Sequence, residues 1–305
     1  MELSIVIVNY NVKYWLIKTI QSIFSYIKNI KFEIIVVDNN SSDDSISSLK
    51  SLYPEVIIIK NANNVGFAEA NNQAIRIAKG HLIMMLNPDT ELYDDSINKL
   101  IKSAQASNND DLFAPCLLNS DNSIQFSTWH TPHVLSILKE AFFLNYVFQN
   151  TKIVKFSNID KISVQCVSGA CMVFRKNLCN KIGYLDKNLF WMDDTDFCFR
   201  IRKADGNIYY FPNLKIFHHC GKSAAKNQKI VISNQIISKI KFFKKHFSFS
   251  TFLLCIIFSK IHIVNRIIFF ALLSPIPNFW KKEKAYCFSL IKFIKYIFVS
   301  DMSIT

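Results

Sequence analysis

The chain has 305 residues, half of them hydrophobic and 14% aromatic, enough to bury one large domain or two small ones. It has six glycines and neither a G-x-G-x-x-G nor a P-loop pattern, which argues against a dinucleotide or Walker-type phosphate site. The net charge of +13 is uneven: residues 1–220 carry 22 Lys+Arg against 21 Asp+Glu, whereas residues 221–305 carry 14 against 2, a basic tail suited to nucleic acid or an anionic membrane surface.

In the first third, four short apolar runs are rich in β-branched residues: Leu3 to Val8, Glu33 to Asp38, Val56 to Lys60 and His81 to Leu86. They predict strands buried on both faces of a parallel sheet. Helical patterns near residues 13–28, 43–52, 67–79 and 93–107 alternate with them, which implies right-handed βαβ units and an open α/β sheet. Ligands of such sheets sit at the carboxyl ends of the strands. There the sequence reads NYN, DNNSSDDS, NANNVGFAEANN and NPDTEL, four polar segments on one rim.

Residues 110–165 are less regular. SIQFSTWHTP reads as an irregular strand and VLSILKEAFFLNYVF as a helix. KISVQCVSGACMVFRK is long and β-like, with Gly169 and Ala170 allowing close approach to its backbone. A helix is expected from Asp194 to Ala204, then two strands, NIYYF and LKIFHH. The eight cysteines lack a C-x-x-C spacing and lie mostly in apolar runs, as buried free thiols do; a zinc site is not expected. The amino terminus enters ELSIVIVNY with no basic n-region, so the expectation is a catalytic part facing the cytoplasm.

Several residues suggest chemistry. Asp38, ending an apolar strand, could accept from the N3–H of uracil or thymine, or cap the next helix. Asp89 follows a strand and a turn; it could hold Mg²⁺ or Mn²⁺ against a diphosphate, or serve as a surface cap. His218 and His219, beside Gly221 and Ser223, could ligate metal or bind phosphate, or be ordinary satisfied histidines. In FWMDDTDFCFR, Asp193 could cap a helix with Asp196 in its first turn. Carboxylates crowded against apolar walls also gain proton affinity, which suits a general base. Asp194 is the expected base, with Asp193 and Asp196 orienting the site.

Together SIVIVNYN, EIIVVDNNSSDDS, NNVGFAEANN, LNPDTEL, VSGACMVFRK, WMDDTDFCFRIRKADG and IFHHCGKS, in this order, resemble the family 2 inverting glycosyltransferases, especially the bacterial rhamnosyltransferase-like and galactofuranosyltransferase-like group. The resemblance covers about residues 1–225. It implies a GT-A fold, a Rossmann-like, mostly parallel open sheet flanked by helices, with residues 1–110 as the nucleotide-sugar-binding half and 111–225 as the acceptor and catalytic half. It also implies a nucleotide-diphosphate sugar donor, UDP- or dTDP-linked, a hydroxyl of a glycan or lipid-linked glycan as acceptor in cell-envelope polysaccharide synthesis, and Mg²⁺ or Mn²⁺.

By position, the resemblance implies that Tyr10 and Asp38 contact the base and that Asn64 and Gly66 lie near the ribose or diphosphate. Asn87 stands for the first acid of the family's D-x-D and Asp89 for its last. Asp194 matches the base, His218 (His219 less surely) would bind metal or diphosphate, and Trp191 and Gly169 would shape the acceptor side. Asp193 stands where Glu is usual, and Ala70 and Ala74 replace glycines. The Q-x-x-R-W motif of processive synthases is absent, so transfer of one or a few sugars is expected.

Residues 226–305 predict a helical region. From Lys239 onward, apolar stretches are broken by Lys260, His262 and Arg266, with no run of about 20 clean apolar residues for a spanning helix. Interfacial amphipathic helices over residues 239–298 fit better, attaching the protein peripherally to the inner face of the plasma membrane. A packed helical subdomain or a homo-oligomer contact is the alternative; nucleic-acid binding is not expected between such aliphatic residues. A nucleotidyltransferase or an inactive nucleotide-sugar-binding scaffold subunit are the competing functions.

Overall fold

The computed structural model describes residues 1–107, 110–144, 159–219, 228–273 and 279–300, without the side chains of residues 228 and 298–300. Two compact units divide the chain: Met1–Thr131 with Lys155–Lys187 and Asp193–Cys220, and Pro132–Val154 with Asn188–Met192 and Gly221–Thr305.

The first unit begins with β1 (Leu3–Asn9), α1 (Lys13–Tyr26), β2 (Phe32–Asp38), α2 (Ser45–Leu52), β3 (Ile57–Lys60), α3 (Phe67–Ile77), β4 (Leu82–Leu86), β5 (Thr90–Glu91) and α4 (Ser96–Ala106). β1 pairs in parallel with β2 and β4, and β2 with β3. Successive side chains of a strand point to opposite faces, and both faces of this sheet are covered. Leu3, Ile5 and Ile7 of β1 pack with Leu16, Ile20 and Ile23 of α1 and Leu49 of α2. Val6 and Val8 pack on the other face with Ala70, Ala74 and Ile75 of α3. Each fully buried Ile or Leu contributes about 1.5–3 kcal/mol of transfer free energy. Ala70 and Ala74, where glycine was the expected pattern, are both core residues. β3 departs from expectation: it is the edge strand, half-exposed rather than buried on both faces.

The chain then gives β6 (Leu112–Leu118), β7 (Thr128–Trp129), β8 (Ile162–Ser163), β9 (Cys166–Val167) and β10 (Cys171–Arg175), with α5 (Val134–Ala141) between β7 and β8 in sequence. The single long strand expected around Gly169 is thus three short pieces. α6 (Asn177–Ile182), α7 (Asp193–Lys203) and β11 (Ile208–His218) follow. NIYYF and LKIFHH form one strand, not two, with a shift of register between Phe211 and Lys215 around Pro212. β10 runs antiparallel to β4 and β6, and β11 parallel to β6, giving the order β3-β2-β1-β4-β10-β6-β11-β5 with β8 beside β11.

The second unit contains α5, α8 (Gln228–His246), α9 (Phe249–Leu272) and α10 (Phe279–Ser300). The helix expected from Val134 extends to Ala141; its continuation past residue 144 lies outside the described residues. Ser248 caps α9 by accepting from the Thr251 amide. Inside the unit, Glu140 of α5 pairs with Lys239 of α8, and Arg266 of α9 lies 3.6 Å from the Phe143 ring centroid. α9 is long and apolar enough to cross a membrane by length and composition, with a mean hydropathy of 1.9 in its best window. Lys260, His262 and Arg266 interrupt it, as expected, so it is not a run of about 20 clean apolar residues. Its outer face exposes Leu253, Leu254, Ile257, Ile268 and Phe269, while its buried face mixes Cys255, Ile263 and Phe270 with Ser259, His262 and Arg266.

Candidate active site

The carboxyl ends of β1, β2 and β3 carry the first group of polar side chains, as the parallel topology requires. Asp38 ends β2 with 5% of its surface exposed. Its Oδ1 accepts from Asn9 Nδ2 at 2.9 Å and its Oδ2 from the Ser41 amide at 3.3 Å. It does not cap α2, whose N-cap position is Asp44. Tyr10, next to Asn9, is exposed. Asn64 accepts from the Gly66 amide at 2.9 Å, and the Gly66 carbonyl accepts from Asn39 Nδ2 at 3.2 Å. Gly66 has φ of 86°, a conformation that favours glycine.

A second group surrounds the turn after β4. The Asn87 amide donates to the Ala170 carbonyl, and the Asn87 carbonyl accepts from the Thr90 amide and hydroxyl. This turn sets Asp89 Oδ1 3.3 Å from His218 Nε2, with Asn87 Nδ2 3.1 Å from the same nitrogen. A carboxylate oxygen and an imidazole nitrogen at that separation share either a proton or a cation. Oxygen plus imidazole is a donor set that suits Mn²⁺ and, less well, Mg²⁺. Among the described residues no group of three or more His, Cys, Asp or Glu side chains could hold a metal. Asp89 and His218 are two side chains that could hold an ion whose other positions go to diphosphate oxygens and water.

His219 is differently employed. Its Nε2 lies 2.9 Å from Glu91 Oε2, its Nδ1 2.7 Å from Ser120 Oγ, and its ring stacks on Trp15 at 4.4 Å. Both ring nitrogens have side-chain partners, as those of His218 do, but here Nε2 faces Glu91 rather than Asp89. Gly221 and Ser223 lie outside the described residues.

The third group is the start of α7, where Asp193, Asp194 and Asp196 all fall in the first turn. The helix begins at Asp193, so Asp193 is not its cap. Asp193 is 8% exposed, and its Oδ2 has no hydrogen-bond partner. Burial, then the neighbouring Asp194 charge, pushes its carboxyl up to about 8. Asp194 is half-buried; Oδ2 accepts from the Gly169 amide at 3.3 Å and Oδ1 from the Thr195 amide and hydroxyl. Burial raises Asp194 to about 6, against the opposing pull of those hydrogen bonds. The two adjacent carboxyls thus titrate as a pair, both above the ordinary carboxylate range and Asp193 further than Asp194.

Asp196 is turned elsewhere. It is fully buried, and its Oδ2 accepts from Arg200 Nε at 2.8 Å one helical turn on. Arg200 also donates to the carbonyls of Ile182, Gly183 and Tyr184. The orienting role expected for Asp196 is thus corrected to anchoring α7. Gly169 meets the expectation of close approach differently: the approaching group is Asp194 itself, and an added Cβ would make only ordinary contact, 3.7 Å from Asp194 Cβ. Trp191 is grouped with the second unit; it is exposed, has φ of 73°, and its ring sits 6.0 Å from Phe190.

Two residues missed from the sequence connect these groups. Trp129 Nε1 donates to Thr195 Oγ1 at 3.1 Å, which leaves that hydroxyl to donate to Asp194. Gln125 Oε1 lies 2.7 Å from His218 Nδ1. Neither pairing has a local signal, since the partners are 66 and 93 residues apart. The base side and the metal side also meet through successive backbone groups, Gly169 on Asp194 and Ala170 on Asn87.

Residues 4–183 match the sequence pattern of glycosyl transferase family 2. The chain belongs to this family. A low-salt glycan biosynthesis hexosyltransferase of Haloferax volcanii is 28% identical over 212 residues, 68% of this chain and 64% of that protein. The matched region thus spans less than two thirds of that relative. An N-acetylglucosaminyl-diphospho-decaprenol L-rhamnosyltransferase of Mycobacterium tuberculosis is 22% identical over 64% of this chain and 68% of its own. Among solved structures, a Pyrobaculum calidifontis mannosyltransferase in complex with GDP-Man and Mn²⁺ covers 97% of this chain and 87% of its own, with a TM-score of 0.58 and 12% identity. That likeness concerns the fold alone, and the fold of this family 2 glycosyltransferase is GT-A.

Proposed function

We propose that the protein transfers a sugar, with inversion, from a UDP- or dTDP-linked donor to a hydroxyl of a glycan or lipid-linked glycan in cell-envelope polysaccharide synthesis. The observation that carries this reading is the pair of adjacent buried carboxyls at the start of α7, both raised above the ordinary range, with Asp194 held by the Gly169 amide. Tyr10 and Asp38 bind the base, while Asn64, Gly66 and Asn87 border the ribose and diphosphate. Asp89 and His218 would hold Mg²⁺ or Mn²⁺, which when bound supplies charge neutralisation for the departing diphosphate.

Asp194 accepts the proton of the acceptor hydroxyl as that oxygen attacks the anomeric carbon from the face opposite the leaving group. A base with affinity near neutrality combines ionisation with useful basicity. Asp193, buried beside Asp194 with no partner at Oδ2, raises the proton affinity of the pair. Gly169 borders the acceptor. The lipid-linked acceptor is supported by the decaprenol-linked substrate in the mycobacterial relative's name. The exposed apolar side chains of α9 and the lysines of α8 and α10 support attachment to an anionic membrane at its cytoplasmic face.

Incubation with Mn²⁺ or Mg²⁺, lipid-linked acceptors and a panel of UDP- and dTDP-sugars tests the reading. The expected outcome is product from one donor with inverted anomeric configuration, abolished by Asp194→Asn. Retained configuration would refute the single displacement.

A further inference from the structure

The loop after β6 contains a hydrogen-bond chain whose direction is fixed at one end. The Asp121 carboxylate accepts from Ser123 Oγ at 2.6 Å, which holds it below the usual carboxylate range. Ionised, it can only accept, so the Ser123 hydroxyl must donate to it. Ser123 Oγ in turn accepts from Asn119 Nδ2 at 2.9 Å. That turns Asn119 Oδ1 toward Gln125, whose Nε2 donates to it at 2.9 Å. The same Gln125 nitrogen points at the His218 carbonyl, 3.4 Å away, which confirms the orientation of the amide. Gln125 Oε1 therefore faces His218 Nδ1 at 2.7 Å as an acceptor, and Nδ1 must carry the proton.

We propose that Gln125 is a positioning residue that locks His218 in its Nδ1–H tautomer and so presents the Nε2 lone pair beside Asp89 to a divalent cation. The remaining contacts agree. In the metal-free protein the Nε2 lone pair accepts from Asn87 Nδ2 at 3.1 Å, and a cation held by Asp89 Oδ1, 3.3 Å from Nε2, would take the place of that N–H. His219, one residue on, has Nε2 beside the Glu91 carboxylate and so takes the opposite tautomer, with Nδ1 accepting from Ser120. Without Gln125, the proton on His218 is drawn to Nε2 by Asp89, and the ligand nitrogen is lost. Groups that orient a metal-binding imidazole typically carry about 10–100-fold in metal affinity.

The inference rests on the proposed donor site only for its binding readout. Two-bond ¹H–¹⁵N correlation spectra of protein labelled at its seven histidines report each tautomer in the metal-free state. Wild-type His218 is expected as Nδ1–H. Gln125→Ala is expected to shift it toward Nε2–H and to weaken binding of UDP or dTDP with Mn²⁺ by roughly 10–100-fold, leaving metal-free nucleotide binding unchanged. Gln125→Glu, which keeps an acceptor for Nδ1, is expected to restore both. Asp121→Ala in the exposed loop releases the direction of the chain and is expected to give mixed His218 tautomers; it serves if Gln125→Ala does not fold. An unaltered His218 spectrum with unaltered Mn²⁺-dependent affinity in these variants would overturn the proposal. If wild type binds neither nucleotide, the donor-site reading fails, while the spectra still decide the tautomer.

Discussion

Asp89 Oδ1 and His218 Nε2 face each other at 3.3 Å although the two residues lie on β5's approach and at the end of β11. The antiparallel pairing of β11 with β5 brings them together, with His218 opposite Thr90. If these two side chains hold the cation, chelation should abolish transfer and Mn²⁺ should restore it. Asp89→Ala and His218→Ala should each remove the Mn²⁺ enhancement of nucleotide binding measured by calorimetry. An enhancement that persists in both variants would place the ion elsewhere.

The base assignment predicts a pH limb. Activity should rise through about pH 6 as Asp194 ionises. Asp194→Asn should lower kcat by roughly 10²–10⁴-fold, the usual contribution of a positioned base. Thr195→Val removes a hydrogen bond to the carboxylate, so its limb should move to higher pH while turnover persists. A kcat profile flat from pH 5 to 8 (about the span between an ordinary and a raised carboxylate) would reject Asp194 as the base.

Asp193 makes a separate claim, about stability. Its folded value is raised to about 8, whereas an unfolded Asp titrates at about 4. The folded state therefore holds the extra proton, and the stability gained from it is complete below about pH 4 and lost as pH rises toward about 8. Wild-type Tm should fall across this window. Asp193→Asn, which cannot ionise, should flatten that fall and be the more stable protein at the alkaline end. Equal slopes for the two proteins in thermal melts would contradict the raised value.

How much of this was legible in the sequence follows from range. β1, β2 and β4 announce themselves because both faces are buried, which makes continuous apolar runs. β10 inserts antiparallel between β4 and β6, and no local pattern encodes that choice. The three acids of WMDDTDF looked alike in one dimension. The helix separates them: Asp196 lies one turn before Arg200 and is consumed by it, whereas Asp194 lies beside Gly169. Gln125 was invisible for the same reason, since only the folded sheet brings it to His218.

The Asp196–Arg200 pair yields a stability prediction free of catalysis. Arg200→Met removes the guanidinium paired with a fully buried carboxylate, and removing one member of a buried pair costs about 3–5 kcal/mol. Chemical denaturation should show that loss. A loss under about 1 kcal/mol, typical of exposed pairs, would mean that Asp196 is solvated or reprotonated cheaply. Because Asp194 lies on the same turn of α7, residual activity per folded molecule should fall as well.

The second unit's surface makes the last prediction. On α9 the side chains facing inward include Ser259, His262 and Arg266, while Leu253, Ile257, Ile268 and Leu272 face out, Leu272 with 76% exposure. A helix folded only against protein would hide those side chains. On α10, Lys281, Lys282 and Lys284 are exposed near Trp280, itself 43% exposed, the combination of cation and indole that suits a headgroup layer. The protein should therefore float with vesicles containing phosphatidylglycerol and far less with phosphatidylcholine alone. Leu253→Gln, Ile257→Gln and Ile268→Gln together should abolish flotation without lowering Tm, because these residues contribute little to the core. Lys281→Ala with Lys284→Ala should weaken binding by about 1 kcal/mol for each lysine and reduce its salt sensitivity. Vesicle binding that survives the three glutamine substitutions would show that α9 does not carry the membrane contact, and a fall in Tm with them would show that its outer face packs on protein instead.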